Sequence, residues 1–175
     1  MERNYIIREA ISSEYKELGD ITVNVYEQLP GMPSSSEQPE YYAMLYDVKT
    51  RAKNPTTEIL VAVSPENELL GGVMFIGDVK YYASGGSITE NIDCSGIRLL
   101  AVKPEARKLG VGKALTEACI RRTEEIGASQ VLLHSTKSME VAWKMYKKMG
   151  FIRSQDLDFS QEELAVFGFR LKISK

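Results

Sequence analysis

Apolar residues recur every third or fourth position in four stretches of this chain and cluster in short runs elsewhere. Tyr15, Leu18, Ile21, Val25 and Leu29 keep helical spacing from Glu14 to about Leu29, with Ser12 or Ser13 placed to cap the helix. Pro30-Gly31-Met32-Pro33-Ser34-Ser35-Ser36 predicts a loop. A second helix is expected from about Gln38 to Ala52, presenting Tyr41, Met44, Leu45 and Val48. In a third, Val111, Ala114, Leu115, Ala118 and Cys119 form one stripe, with Glu117, Arg121 and Glu124 outside it and Gly127 at its end. The fourth starts near Met139, carries Val141, Ala142, Met145, Tyr146 and Met149 on its apolar face, and stops at Gly150.

The remaining apolar runs read as strands. They are Ile6-Ile7-Arg8-Glu9-Ala10, a hairpin of Ile59–Val63 and Leu70–Ile76, Ile97–Val102, Val131-Leu132-Leu133, a strand opening at Phe151, and Ala165–Ile173. A long polar connection, Asp78 to Gly96, precedes the fourth of these. The order is strand, two helices, three strands, helix, strand, helix, two strands. It implies an α/β (α+β) fold with a central sheet flanked by helices.

A length of 175 residues suits one domain, residues 1–175, and 43% hydrophobic with 26% charged residues is the globular norm. Net charge −2 and a pI near 5.6 argue against general nucleic-acid binding. No apolar stretch reaches bilayer length, and Met1-Glu2-Arg3-Asn4-Tyr5 lacks the pattern of a signal peptide, so no membrane contact and a cytoplasmic location are expected. Cys94 and Cys119 have neither disulfide-framework nor metal-site spacing, and Cys119 belongs to an apolar stripe. His134, the one histidine, leaves no histidine cluster for a metal and reads as a structural or surface residue.

The chemistry concentrates in Arg107-Lys108-Leu109-Gly110-Val111-Gly112, between a strand and a helix. Such a turn aims unpaired N–H groups and the positive end of a helix dipole at an anion. Gly110 and Gly112 let the backbone approach closely, while Arg107, Lys108 and Lys113 add charge. The dinucleotide fingerprint and the nucleotide P-loop are both absent. The R-x-x-G-x-G pattern after L-A-V-x-P resembles the coenzyme A pyrophosphate loop of the GCN5-related N-acetyltransferase (GNAT) family. Ala142–Phe151, A-W-K-M-Y-K-K-M-G-F, resembles that family's second signature, and the element order resembles its fold over nearly the whole chain. G-I-R-x-L-A-V before the turn and Leu157-Asp158-Phe159 after the last helix are similar to small bacterial-type members.

That resemblance implies acetyl-CoA as cofactor, a mixed, mostly antiparallel sheet, and transfer to an amine of a small molecule or peptide, with a homodimer possible. Leu100, Ala101 and Val102 would run along the pantetheine arm, Leu100 and Val102 through their backbone. Arg107, Lys108, Leu109, Gly110, Val111, Gly112 and Lys113 would hold the pyrophosphate. Trp143 and Met139 would wall the channel or simply pack. Tyr146 would serve the leaving thiolate as acid. Tyrosine near 10 and thiol near 8.5 make full proton transfer uphill by about 2 kcal/mol, which favours a hydrogen bond over transfer. Where many relatives carry a glutamate base, this chain has Gly96, and Met139 stands where relatives often have asparagine. Glu90 or Asp93 would then relay the proton through water, Glu90 being the site candidate. Acceptor recognition would fall to the Pro30–Tyr42 loop and the Asp78–Gly96 connection. Two other classes stay open: a cofactor-binding sensor with lost activity, suggested by Gly96, and a nucleotide-binding module.

Overall fold

A computed structural model describes residues 2–174; Met1 and Lys175, at the two ends of the expected domain, lie outside the described residues. The chain divides into two compact units: one runs through Met74 and takes in Leu99–Ala118, and the other comprises Phe75–Arg98 and the stretch from Cys119 onward. Among the described residues eight strands hydrogen-bond in the order β1-β2-β3-β4-β5-β8-β6, with β7 on β8, in a mostly antiparallel sheet flanked by helices. These are β1 (Ile6–Glu9), β2 (Thr57–Val63), β3 (Leu69–Ile76), β4 (Cys94–Val102), β5 (Gln130–Ser135), β6 (Ile152–Arg153), β7 (Phe159–Gln161) and β8 (Leu164–Lys172). The helices are α1 (Tyr15–Glu27), α2 (Pro39–Tyr46), α3 (Val48–Ala52), α4 (Val111–Ile126) and α5 (Glu140–Lys148).

In the first unit β1 pairs antiparallel with β2, from Ile6↔Val63 to Glu9↔Leu60. Leu18, Ile21 and Val25 of α1 and Leu45 of α2 are buried, as their spacing predicts. Two expectations need correction. The serines do not cap α1: Ser12–Glu14 form a 3-10 turn, and Glu14 instead accepts from the Ile11 N–H (2.9 Å) and holds Arg8 (2.6 Å). The single helix to Ala52 is broken at Asp47, whose side chain accepts from the Thr50 N–H (3.1 Å) and starts α3 afresh. Local side-chain bonding at aspartate competes with helix continuation, so periodicity carried across it misses the break.

In the second unit β4 runs parallel to β5, from Cys94↔Gln130 to Ile97↔Leu133, and β5 pairs antiparallel with β8. β4 begins three residues earlier than the apolar run suggested, so Gly96 lies inside it. The strand at Phe151 shrinks to two residues, because the chain then turns through Gln155–Leu157. That turn is clipped by Arg153 on Asp158 (2.8 Å) and Arg170 on Asp156 (2.6 Å). β7, absent from the expected order, pairs with β8 around Glu162, which takes a left-handed backbone (φ 55). Cys119 is fully buried, in keeping with a packing role.

Candidate active site

In the first unit Lys103 N–H pairs with Leu70 O (2.9 Å), tying the end of β4 to β3. Just before it, Leu99 takes φ 57 inside the strand, a bulge-like departure for a leucine. The recorded pairing of β4 with β5 stops at Ile97↔Leu133, two residues ahead of that bend. Ala101 is buried, Leu100 and Val102 half-buried, and Leu100 O accepts from the Tyr26 hydroxyl (3.3 Å). Nothing in side-chain patterning announces a left-handed leucine, which is why the bend is invisible in the sequence.

Beyond a 3-10 turn at Pro104–Ala106 the chain reaches the glycine-bearing turn. Lys108 (φ 66) and Gly110 (φ 78) are left-handed, and Gly110 O accepts the first helical bond of α4 from Ala114 N–H (3.0 Å). Gly110 is thus the cap, and the N–H groups of Val111, Gly112 and Lys113 have no partner within the helix. Of the two glycines only Gly110 uses the conformational freedom expected of both; Gly112 sits in the helix's first turn. Arg107, Lys108, Leu109 and Lys113 are exposed, and Val111 is buried beneath them. Lys113 lies 3.8 Å from Glu117, a contact too long and too exposed to hold it firmly. Backbone donors, a helix dipole and exposed cations on one turn fit a pyrophosphate.

In the second unit Tyr146 is 5% exposed, packed on Phe151 (5.5 Å between ring centres) and Phe169 (6.3 Å). Burial pushes its phenol well above the ordinary tyrosine value, with Tyr82 and Cys119 nearby adding to the rise. Trp143 packs edge-on against Phe167 (5.3 Å) and Phe169 (5.0 Å), and its indole N–H is enclosed with no hydrogen-bond partner. Met139 Sδ receives the Ser135 hydroxyl. Glu90 ends a short 3-10 turn and is exposed.

Gly96 has a physical cause. A Cβ built there would lie 2.6 and 2.8 Å from ring carbons of Tyr82 and 3.3 Å from Val79 Cγ1. The Tyr82 ring covers the strand at Gly96 and leaves no room for a side chain there. Its hydroxyl donates to Ile97 O (2.9 Å) and accepts from the His134 N–H (3.2 Å), and burial pushes its phenol up to about 12. Arg98 lies over the same ring (5.7 Å) and donates to Tyr82 O (3.2 Å). Sequence reasoning placed Tyr82 in an acceptor-recognition connection; a tyrosine fourteen positions before a strand glycine gives no signal that the two pack.

His134 faces Tyr82 and Phe159 edge-on, and its Nε2–H donates to Leu157 O (2.7 Å), leaving Nδ1 buried without a partner. Burial lowers its pKa, and Arg98 lowers it further, against the opposing pull of Leu157 O and Asp158. The folded protein therefore holds fewer protons than the unfolded chain. The stability this contributes is complete above pH about 6.5 and is lost as the pH falls through the depressed folded value. With only one histidine, the melting temperature should fall between pH 7 and 5.5, and His134→Gln should flatten that fall. An equal slope in the variant would assign it elsewhere.

No group of three or more metal-ligating side chains occurs among the described residues, and no described helix is long and apolar enough to cross a membrane. The sequence model of the acetyltransferase (GNAT) family matches residues 22–151, well over half of the chain. The chain belongs to this family of N-acetyltransferases, whose members use acetyl-CoA. A protein named mycothiol acetyltransferase from Paenarthrobacter aurescens is 35% identical over 94 residues, covering 54% of this chain and 27% of the relative. The chain thus spans about a quarter of the length of that relative. Two solved structures share the fold at 16% identity and TM-score 0.74, each covering 97% of this chain and 99% of its own. They are a GNAT-family acetyltransferase from Staphylococcus aureus Mu50 and the PaiA N-acetyltransferase from Thermoplasma acidophilum in complex with coenzyme A.

Proposed function

We propose that this chain is a single acetyltransferase domain that moves an acetyl group from acetyl-CoA to a primary amine of a small molecule or peptide. The observation that carries the reading is the left-handed Gly110 cap, with the N–H groups of Val111, Gly112 and Lys113, which lack helical acceptors, behind it. Bound acetyl-CoA supplies the acetyl group as an activated thioester. Arg107, Lys108 and Lys113 bring cations to the pyrophosphate, and the backbone of Leu109 to Lys113 orients it. Leu100, Ala101 and Val102 line the pantetheine arm, with Leu100 and Val102 offering backbone groups. Trp143 stiffens α5 through its contacts with Phe167 and Phe169, which keeps Tyr146 in position.

Tyr146 holds its phenolic proton at Oη because burial raises its pKa, so it is a hydrogen-bond donor throughout the neutral range. An alkylamine is neutral only about one part in a thousand at pH 7, so its proton has to leave. Glu90, exposed to solvent, accepts it through water, since Gly96 offers no side chain. The relatives named mycothiol acetyltransferase support a small-molecule acceptor. A second reading, a cofactor-binding sensor, is favoured by one observation, the Tyr82 ring over Gly96.

Thermal unfolding tests the cofactor assignment. At a hundred times its Kd, acetyl-CoA adds about 2.7 kcal/mol, which at this size raises the melting temperature by about 5–11 °C. ATP, lacking the pantetheine arm, should give a much smaller shift. Equal shifts would favour a nucleotide module, and none with either would remove the assignment.

A further inference from the structure

The pyrophosphate turn is exposed, and Leu109 at its centre is 55% accessible, so packing alone does not fix it. Two side chains that precede β1 reach it and the helix it opens. The Tyr5 hydroxyl donates to Leu109 O (3.2 Å), and the Arg3 guanidinium meets Glu117 Oε2 (2.8 Å). The geometry points to Tyr5 as a positioning residue for cofactor binding, with Arg3 assisting. This inference rests on the turn being the pyrophosphate site.

No peptide bond is cis among the described residues, so each carbonyl and the N–H that follows it point in opposite directions. Holding Leu109 O toward Tyr5 therefore turns the Gly110 N–H the other way. No backbone acceptor takes that N–H among the described residues. Tyr5 thus fixes the peptide plane that heads the row of donors at Gly110, Val111, Gly112 and Lys113. Donors ordered before the ligand arrives need not be ordered by it, and that is worth affinity. Tyr5 Oη also lies 3.5 Å from where a Cβ on Gly110 would be, close to the left-handed cap itself. Arg3 acts on charge. It takes the nearer contact on Glu117, 2.8 Å against 3.8 Å for Lys113, and so leaves the Lys113 ammonium freer to meet an anion.

Calorimetric titration of acetyl-CoA into wild type, Tyr5→Phe, and Arg107→Glu with Lys113→Glu tests this. Tyr5→Phe keeps the ring and removes one donor, so its Kd should rise about three- to tenfold, the worth of one hydrogen bond. The melting temperature without ligand should hardly change, because water replaces this exposed bond in the free protein, and the free protein's Gly110 amide NMR resonance should move. The charge reversals should weaken binding more than about tenfold. If they do while Tyr5→Phe binds as wild type does, the positioning role falls and the turn remains the cofactor site. If Tyr5→Phe loses affinity and unliganded stability together, Tyr5 is structural and the inference is overturned. Unchanged binding by the charge reversals would bring down the pyrophosphate assignment itself, and this inference with it.

Discussion

Gly96→Ala should lower the melting temperature by about 2–12 °C, a large effect for one methyl group. The new carbon would stand 2.6 Å from a Tyr82 ring carbon, well inside van der Waals contact. The ring has little freedom to retreat: Tyr82 is 1% exposed, and its hydroxyl is held from both sides, by Ile97 O and the His134 N–H. Overpacking of this kind costs about 1–3 kcal/mol, and each kcal/mol moves a chain of this length by about 2–4 °C. Gly96→Glu should be worse, because it adds an unpaired carboxylate to a buried strand. Tyr82→Ala alone should cost about 3–5 kcal/mol through the cavity it leaves. The two alanine changes combined should cost less than their sum, since Tyr82→Ala removes the clash and the methyl at Gly96 fills part of the cavity. Circular-dichroism melts of the wild type and the four variants check this. Additive losses, or a neutral Gly96→Ala, would mean that Tyr82 is not what keeps a side chain off this strand.

Tyr146→Phe should cut turnover by about a hundredfold or more and leave the Kd for acetyl-CoA unchanged. The substitution removes one oxygen and keeps the ring that packs on Phe151 and Phe169. Well-placed proton donors contribute about 10²–10⁴-fold. Burial holds the phenol above its ordinary value, further from the ordinary thiol near 8.5. The proposed role is therefore a hydrogen bond that strengthens as charge develops, with no proton transferred outright. Rates of thiol release at saturating acetyl-CoA, with affinity measured separately, divide the two effects. A variant that turns over as fast as wild type would take Tyr146 out of the mechanism.

The fold was legible where one face repeats. The stripe of Val111, Ala114, Leu115, Ala118 and Cys119 delivered α4 with its glycine stop, and the apolar runs delivered the β2–β3 pair. It was lost where a single side chain redirects the backbone. Asp47 interrupts a periodicity that continues across it, and it is Glu14, rather than either serine, that bonds the backbone at the turn leading into α1. β7 escaped because Phe159–Gln161 is short and alternates weakly. At the candidate site, the position of Gly110 before a helix was readable, because glycine before an apolar stripe is a local signal. The Leu99 bend, the Tyr82 ring over Gly96 and the Tyr5 bond to Leu109 were not. Each depends on a backbone twist or on partners far apart in sequence, 104 residues in the last case.

The most direct measurement is release of free thiol from acetyl-CoA by the wild-type protein, across a panel of small primary amines and peptide N-termini, with the acetylated product identified by mass. Amine-dependent release, with one acetyl amide formed per thiol, is the expected result. Tight binding of acetyl-CoA with no amine-dependent release from any member of the panel would contradict it, and would leave a domain that binds the cofactor without using it.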